Sequence, residues 1–388
     1  MKYLTSGESH GKCLNAIIEG LPSGFEIKEE FINDELKKRQ VGYGRGGRMQ
    51  IESDTVEIKS GVRFGKTTGS PICLEIKNRD FENWFNVMST TPVDLNNEEI
   101  KNQIAEKIIT KPRPGHADLT GALKYNFDDI RNVLERSSAR ETATRTAIGA
   151  IAQQILKEFD IKGLSHVIEI GGVEAKQLSF EEIENNCDND LLCADLDAYQ
   201  KMVERIDKAK ENGDTLGGKV QVIFKNLPVG LGSFTHWDRK LDGLLAQGVM
   251  SVQAIKSVEF GLGNQYASTS GANAHDEIYY QNAFKRYTNN AGGIEGGMTN
   301  GEDLIITATM KAIPTMKAPL KSVDINSKEV FDAHFERSDT CAVSACSVVV
   351  KNVVATILLD AFLEKFGGDS FEEIKANYRN YQEMVQKR

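Results

Sequence analysis

Arg-Gln-Val-Gly-Tyr-Gly-Arg-Gly-Gly-Arg-Met, residues 39–49, is the stretch on which the interpretation of this sequence depends most. Three arginines and four glycines share its eleven positions, and no acidic residue lies among them. Glycine lets the backbone adopt positive φ and approach a ligand closely. Arginine keeps its charge and offers a planar fork of donors that matches carboxylate or phosphate. The stretch therefore predicts a flexible loop that closes its guanidinium groups around a small anion carrying several charges.

Two other interpretations of this loop stay open on its own sequence. One is a solvated basic loop on the surface, and the other is an arginine–glycine tract that binds nucleic acid. Such tracts repeat over long disordered segments, whereas this one occurs once, ahead of a strand-like run. The whole chain also carries a net charge of −9, which repels nucleic acid and anionic membranes. These properties favour a local pocket for an anion.

Length and composition are typical of a large globular protein. The chain has 388 residues, of which 40% are hydrophobic and 27% are charged. We expect no apolar run to approach the length of a membrane span, and the N-terminus lacks the long apolar core of a secretory signal, so we expect a cytoplasmic protein. We expect it to bind neither membrane nor nucleic acid. The cysteines form no Cys-x-x-Cys pair and predict free thiols without a metal site; they are Cys13, Cys73, Cys187, Cys193, Cys341 and Cys346.

Hydrophobic periodicity predicts an α+β chain with a single domain over residues 1–388. Ser138 followed by Glu141 is a capping-box pattern that predicts the start of a helix. We expect 180–212 to be a surface helical excursion and 369–388 to be a C-terminal helical tail. Helices are predicted at 27–39, 98–109, 138–159, 238–255 and 344–365, and strands at 49–58, 70–76, 167–170, 219–224, 258–261 and 304–310.

A polar turn near the start of the chain, Gly7-Glu8-Ser9-His10-Gly11, matches the Gly-x-Ser-x-Gly pattern of serine esterases. That motif needs a strand before the serine and a helix after it. The run that follows here is short and ends at Leu21-Pro22, so we discard a hydrolase function. Ser9 and His10 remain as polar residues held in a tight turn between glycines.

Two further clusters combine charged residues with a restrained backbone. In residues 113–118, proline and glycine fix the path of the chain, so that His116 is presented rather than left free. A functional and a structural role for this histidine both stay open. Residues 136–143 place two arginines and two serines at a helix start, where free N–H groups can bind an anion. An ordinary helix cap would explain the serines but not the arginines.

The last two clusters lie in the C-terminal third. Residues 289–301 predict a glycine-rich loop that leads into a strand, with Lys311 and Thr315 at the exit of that strand. Such a loop can hold a phosphate, but it lacks the Walker spacing and does not support nucleotide hydrolysis. Residues 337–340 precede the long apolar helix, and Asp339 among them is either a functional carboxylate or a helix cap.

Set side by side, these clusters resemble the chorismate synthase family, in the family's order and over nearly the whole chain. The resemblance implies a single-domain β-α-β sandwich with a helical centre between antiparallel sheets, assembled as a homotetramer. It implies a carbon–oxygen lyase that converts 5-enolpyruvylshikimate 3-phosphate to chorismate and phosphate by anti-1,4-elimination. This is the last step of the shikimate pathway, which leads to aromatic amino-acid biosynthesis. The clusters are residues 7–11, 39–54, 113–118, 136–143, 292–297, 311–315 and 337–340.

The same resemblance implies reduced FMN as a cofactor, in a reaction with no net redox change, and NADPH as a candidate reductant. His10 would be the acid near the departing phosphate, His116 the histidine that protonates the reduced flavin, and Asp339 the base acting through flavin N5. No metal is implied. The implied substrate-binding residues are Ser9, Arg39, Arg45, Arg48, Arg140 and Arg337, with Arg39 and Arg45 also assigned to NADP. The implied FMN-binding residues are Arg136, Ser137, Ser138, Gln253, Ala254, Gly296, Lys311, Ala312, Ile313, Pro314, Thr315 and Arg337.

Two positions depart from the family pattern, because Gln40 and Ala312 stand where proline is usual. Both changes loosen the local backbone. The sequence leaves open whether the enzyme reduces its own flavin or depends on a separate reductase. Two rival classes also remain: a flavin oxidoreductase with net hydride transfer, and a non-catalytic nucleic-acid binder built on the arginine–glycine loop.

Overall fold

The computed structural model describes residues 1–46, 53–335 and 339–388. Its strands are β1 (Lys2–Ser6), β2 (Cys13–Glu19), β3 (Val56–Ser60), β4 (Val62–Arg63), β5 (Lys66–Thr67), β6 (Ile72–Lys77), β7 (Lys162–Ile170), β8 (Val173–Glu174), β9 (Gly218–Lys225), β10 (Ile255–Phe260), β11 (Ile278–Tyr280), β12 (Phe284–Arg286), β13 (Ile294–Glu295), β14 (Met298–Thr299), β15 (Leu304–Met310), β16 (Lys321–Val323) and β17 (Val330–Asp332). They form a four-stranded antiparallel sheet in the order β1-β2-β6-β3, a five-stranded antiparallel sheet in the order β10-β15-β9-β7-β8, and four two-stranded ribbons.

The helices lie mainly between and beside the two large sheets. Short 3₁₀ turns occur at Arg79–Trp84, Ala139–Glu141, Trp237–Arg239 and Gly263–Ser268. The α-helices are α1 (Glu29–Gln40), α2 (Glu98–Lys107), α3 (Asp118–Tyr125), α4 (Arg131–Ser137), α5 (Thr142–Lys157), α6 (Phe180–Asn186), α7 (Leu196–Glu211), α8 (Leu241–Met250), α9 (Gly271–Ala274), α10 (Val343–Phe366) and α11 (Phe371–Gln386).

Both large sheets bury one face through period-two alternation. In the first sheet, Leu14 lies opposite Ile76 and Ile18 lies opposite Ile72, and all four side chains are buried. In the second sheet, Leu304, Ile306 and Ala308 of β15 alternate inward and lie opposite buried residues of β9. A strand with this alternation presents every second side chain to the same face. The two sheets therefore each offer one apolar face to a common interior.

Helices fill the space between those faces. Helix α5 packs against β2 and β6 of the first sheet, and α10 packs against β7 and β9 of the second. Nineteen of the 24 residues of α10 are buried. The expectation that no apolar run approaches the length of a membrane span is wrong for this helix, which is long and apolar enough to cross one. However, 78% of its most apolar window is buried inside the protein. It is therefore a core helix, and the predicted helical centre between antiparallel sheets is confirmed.

Helices α5 and α10 approach each other closely in this centre. A Cβ added to Gly149 would lie 2.2 Å from the backbone oxygen of Asn352, so only glycine fits there. Beside it, Glu35 of α1 accepts hydrogen bonds from Lys351 (3.0 Å) and from Asn352 (2.9 Å). Burial raises the pKa of Glu35, but the charges of Lys351 and Lys38 outweigh it and lower the value to about 2. The three central helices are therefore fixed by close packing and by a satisfied buried ion pair.

Several predicted element boundaries are wrong. The strand predicted at 49–58 begins at Val56 within the described residues. The capping box is also wrong, because Ser138 accepts from Arg140 N (3.3 Å) to start a 3₁₀ turn, and α5 begins at Thr142. The helix predicted at 238–255 is confined to α8, since the chain turns at Ala254 with φ of 68°.

The polar segment at 180–212 contributes to the core as well as to the surface. Its helix α7 buries Met202 and Ile206 in the main hydrophobic cluster, and the connection before it buries Leu191 and Cys193 there. The outward face of α7 is charged and exposed. A long segment of low hydrophobicity can thus still anchor itself by one narrow apolar stripe.

We expect Gly149→Ala to lower the free energy of unfolding by about 1–3 kcal/mol, because the methyl group cannot fit against the backbone of α10. Gly243→Ala is the matched control, since Gly243 is an exposed helical glycine with nothing within 4 Å of its added Cβ. That variant should gain up to about 1 kcal/mol from helix propensity. Urea denaturation of both variants measures the difference, and equal shifts would contradict the close α5–α10 contact.

Candidate active site

A cavity of about 570 Å³ lies where the two core helices begin. Thr142 at the start of α5 and Ala342, just before α10, both line it. The free N–H groups and the positive dipole end of a helix start favour an anion. The remaining wall comes from Ser9 and from residues within 39–46, 113–117, 134–140, 252–254, 310–315 and 339–349.

The arginine–glycine loop is fastened to the segment that precedes α10. Gly44 accepts a hydrogen bond from Thr340 N through its carbonyl oxygen (2.8 Å) and has a φ of 81°. Asp339 accepts from Gly46 N (2.6 Å) and forms an ion pair with Arg45 at 3.1 Å. The helix-cap interpretation of Asp339 is wrong, because the residue at the N-cap of α10 is Ala342 and no side chain caps it. Asp339 instead joins the loop to the cavity wall.

Two further arginines line the cavity and share one buried carboxylate. Arg39 and Arg140 lie 2.6 and 2.7 Å from the carboxylate oxygens of Asp54, and all three side chains are buried. Burial raises the pKa of Asp54, but the two guanidinium groups outweigh it and hold the value below normal. Arg140 also donates to Asn78 Oδ1 (2.9 Å). Among the described residues the cluster joins two guanidinium groups to one carboxylate, and Arg39 Nε has no hydrogen-bond partner there.

His116 is held by a buried aspartate. Its Nδ1 donates to Asp118 Oδ1 at 2.6 Å, and Asp118 also accepts from the Nε of Arg113 at 2.8 Å. Burial raises the pKa of Asp118, but the hydrogen bonds from His116 and Arg113 outweigh it and hold the value well below normal. Arg113 reaches on to Thr315 Oγ1 at 3.3 Å. The predicted restrained turn thus orients an imidazole at the cavity wall.

The Ser9–His10 turn is held in place by contacts with Glu135, Trp84 and Asn78. Ser9 lines the cavity, whereas His10 is buried next to it and is not among the lining residues that the structure describes. His10 Nδ1 donates to Glu135 Oε1 (2.8 Å), and its ring stacks on Trp84 with centroids 3.9 Å apart. Asn78 closes the turn by donating to Gly11 O at 2.7 Å.

The cavity lining also includes buried polar atoms and apolar side chains. Ser137 Oγ and Gln253 Oε1 are buried without hydrogen-bond partners among the described residues. Lys311 donates to the carbonyl oxygen of Gly115, and burial lowers its pKa. The aliphatic lining residues include Val252, Ala254, Ile313, Pro314 and Val349. Unsatisfied polar atoms together with apolar side chains could hold a ligand that has an apolar body and polar edges.

Some predicted residues lie away from this cavity. Arg136 is exposed and donates to the carbonyl oxygens of Thr5 and Gly7. Gly296 occupies the turn between β13 and β14, and neither it nor Ala312 is among the described lining residues. Arg48 and Arg337 lie outside the described residues. Apart from His10, which lies behind the lining, the cavity unites the remaining predicted residues, which are Ser9, Arg39, Arg45, His116, Ser137, Ser138, Arg140, Gln253, Ala254, Lys311, Ile313, Pro314, Thr315 and Asp339.

Sequence interpretation assigned no role to the residues that support the site. Asp54 and Arg113 lie inside the charged, glycine-rich clusters of the sequence, and their charge is a signal that can be recognised there. Asn78 and Glu135 carry no such signal in the sequence, because a lone polar residue after a strand or within a helix is ordinary. Their positions emerge only from the contacts of the folded chain.

The family model described as chorismate synthase matches residues 1–363. The chain belongs to the chorismate synthase family. It is 52% identical to the chorismate synthase of Desulforamulus reducens, over 99% of each chain, and 53% identical to that of Thermoanaerobacter pseudethanolicus, over 98% of each. A solved structure, the crystal structure of a chorismate synthase, superposes with a TM-score of 0.80 at 40% identity, covering 100% of this chain and 98% of that one. The predicted family, α+β fold and lyase function are confirmed.

We expect Asp339→Ala to leave the free energy of unfolding within about 0.5 kcal/mol of wild type, because Asp339 does not cap α10. Ser370→Ala is the control, since Ser370 does cap α11 by accepting from Glu373 N at 3.3 Å and should cost about 0.5–2 kcal/mol. Amide exchange at Gly46 should accelerate only in Asp339→Ala. A stability loss as large as that of Ser370→Ala, with unchanged exchange at Gly46, would restore the capping role.

Proposed function

We propose that the cavity binds 5-enolpyruvylshikimate 3-phosphate together with reduced FMN and that the chain eliminates phosphate from this substrate to give chorismate. The observation that carries the proposal is the concentration of Arg39, Arg45, Arg140 and Lys311 at one cavity in a chain of net charge −9. The substrate carries two carboxylates and a phosphate, and FMN adds another phosphate. Such a set of anions needs several fixed cations and charge-assisted hydrogen bonds.

The substrate would bind on the side of the arginine loop. Arg39 and Arg140 line the cavity, and within the described residues Asp54 is the carboxylate that fixes both guanidinium groups in place. Arg45 would exchange its contact with Asp339 for a substrate anion, which leaves that carboxylate available as a base. Ser9 borders the same space. We propose by family resemblance that Arg48 and Arg337 complete the anion site.

The flavin would bind on the apolar side, held by Ser137, Ser138, Gln253, Lys311 and residues 313–315. When bound, reduced FMN supplies an electron-rich ring that assists departure of phosphate without net oxidation. Arg136, Gly296 and Ala312 stay in this proposal by resemblance alone. The chain's own contribution is to fix the ring face, neutralise the phosphate and exclude water.

Three side chains would move protons. His10 would donate a proton to the departing phosphate, His116 would hold a proton at the flavin side of the cavity, and Asp339 would accept the proton lost from the substrate ring. Asp118 keeps the His116 ring in one orientation, which suits a positioned acid. Each of these groups is of a type that general acid–base catalysis uses.

Further properties of the enzyme are proposals on the same basis. We propose one domain over 1–388, a homotetramer, a cytoplasmic location, and NADPH as a candidate reductant with Arg39 and Arg45 near it. Turnover with NADPH and FMN under anaerobic conditions, with no other protein present, tests self-reduction of the flavin. A requirement for chemically reduced FMN would assign the reduction to a separate enzyme.

The direct test is anaerobic turnover of 5-enolpyruvylshikimate 3-phosphate with chemically reduced FMN, measuring chorismate and phosphate in equal amounts. In Asp339→Asn we expect turnover to fall by roughly 10²–10⁴-fold, because the amide keeps the shape but accepts no proton. Binding of FMN with substrate should persist. An unchanged rate in this variant would remove Asp339 from the mechanism, and net flavin oxidation during turnover would favour an oxidoreductase instead.

A further inference from the structure

Glu135 accepts two hydrogen bonds from His10, and the roles proposed above for the site residues do not include Glu135. Its Oε1 accepts from the ring Nδ1 at 2.8 Å, and its Oε2 accepts from the backbone N–H of His10 at 2.7 Å. The backbone oxygen of Glu135 accepts from Ser9 N at 3.0 Å. A single residue of α4 therefore fixes both the main chain and the imidazole of a turn 125 positions earlier in the chain.

The surroundings leave the pair little freedom. Glu135 is 2% exposed and His10 is 6% exposed. Arg131, one turn earlier on α4, lies 3.3 Å from Glu135 Oε1 and 5.0 Å above the Trp84 ring. Lys107 of α2 also lies over that ring, at 4.7 Å. Among the described residues, Glu135 is the charged group in direct contact with His10. Arg131 and Lys107 lie farther away, on the Trp84 ring against which His10 stacks, and Arg131 also contacts Glu135.

We infer that Glu135 is the positioning residue of His10, an inference that rests on the proposed role of His10 at the departing phosphate. A carboxylate accepts hydrogen bonds and donates none, so the proton in this contact belongs to Nδ1 of His10. The second ring nitrogen, Nε2, is then the one left to exchange a proton with a ligand. Glu135 selects that nitrogen and the ring orientation, while its own side chain lies outside the cavity lining that the structure describes.

A purely structural role would have a different signature. Glu135 could serve only as the buried counter-charge of Arg131 and as an anchor for the Ser9–His10 turn. Removing it would then lower stability and leave the chemistry of the ring untouched. A positioning role requires that the loss of turnover depend on the presence of the imidazole.

The test is a double-mutant cycle with Glu135→Gln and His10→Ala. The quantity measured for each variant is the single-turnover rate with chemically reduced FMN. Glutamine keeps the size of the side chain but can turn its NH₂ group toward Nδ1. We expect Glu135→Gln alone to slow turnover by roughly 10–100-fold, as for the loss of a carboxylate that orients a metal-binding histidine. In the His10→Ala background the same change should have almost no further effect.

A readout independent of FMN comes from imidazole ¹⁵N NMR of the six histidines, with His10 assigned by its loss in His10→Ala. The wild-type spectrum should show a protonated, hydrogen-bonded Nδ1, and Glu135→Gln should change that pattern. Asp129→Ala is the control. Asp129 accepts from Arg131 N and Ile109 N, both at 2.9 Å, near the start of the same helix. Its loss should reduce stability but leave the His10 signals and turnover unchanged.

The outcomes separate the inference from the function on which it rests. Near wild-type turnover in His10→Ala removes His10 from the mechanism and overturns both. A large loss in His10→Ala, with Glu135→Gln matching wild type in rate and in His10 signals, overturns the inference alone. An equal fractional loss in both backgrounds also overturns it. If Glu135→Gln does not fold, Glu135→Asp decides by the same criteria, since it keeps the charge beside Arg131 but withdraws the carboxylate from His10.

Discussion

The contact between Gly149 of α5 and the backbone of Asn352 in α10 sets the geometry on which the site depends. Because the two helices touch here, their first residues arrive together at one end of the helical centre. Thr142 and Ala342 border the same cavity for that reason. Two helix starts then border one cavity, and the positive dipole end of each helix favours an anion there.

Arginines and carboxylates meet at the cavity. Among the described residues, Arg39 and Arg140 share the carboxylate of Asp54, and Arg45 pairs with the partly exposed Asp339. Burying a guanidinium group is costly unless it is paired and hydrogen-bonded, and these contacts offset that cost. The chain carries a net charge of −9, so these arginines are a local feature of the cavity and not part of a general basic surface.

Sequence patterns predicted much of this architecture, since both periodicity and residue chemistry are local properties. The β15 strand and the long α10 helix follow directly from apolar alternation and from an unbroken apolar run. The start of α5 could not be predicted from Ser138, because the Glu141 side chain accepts hydrogen bonds from Thr5 and Arg145 instead of completing a capping box with Ser138. Likewise, no local signal shows that Glu135 meets His10, since 125 positions separate them. Supporting residues of a site are defined by tertiary contacts, whereas its charged and glycine-rich segments are visible in the sequence.

In the proposed function, one cavity holds substrate and flavin together, and each ligand completes the site of the other. Fluorescence titration of FMN under anaerobic conditions, with and without 5-enolpyruvylshikimate 3-phosphate, tests this composite site. Shared positive groups at a single cavity require positive coupling between the two ligands, which is typically 1–3 kcal/mol. We expect weak FMN binding alone and binding at least about fivefold tighter with the substrate present. Equal affinity in the two titrations would contradict a composite site.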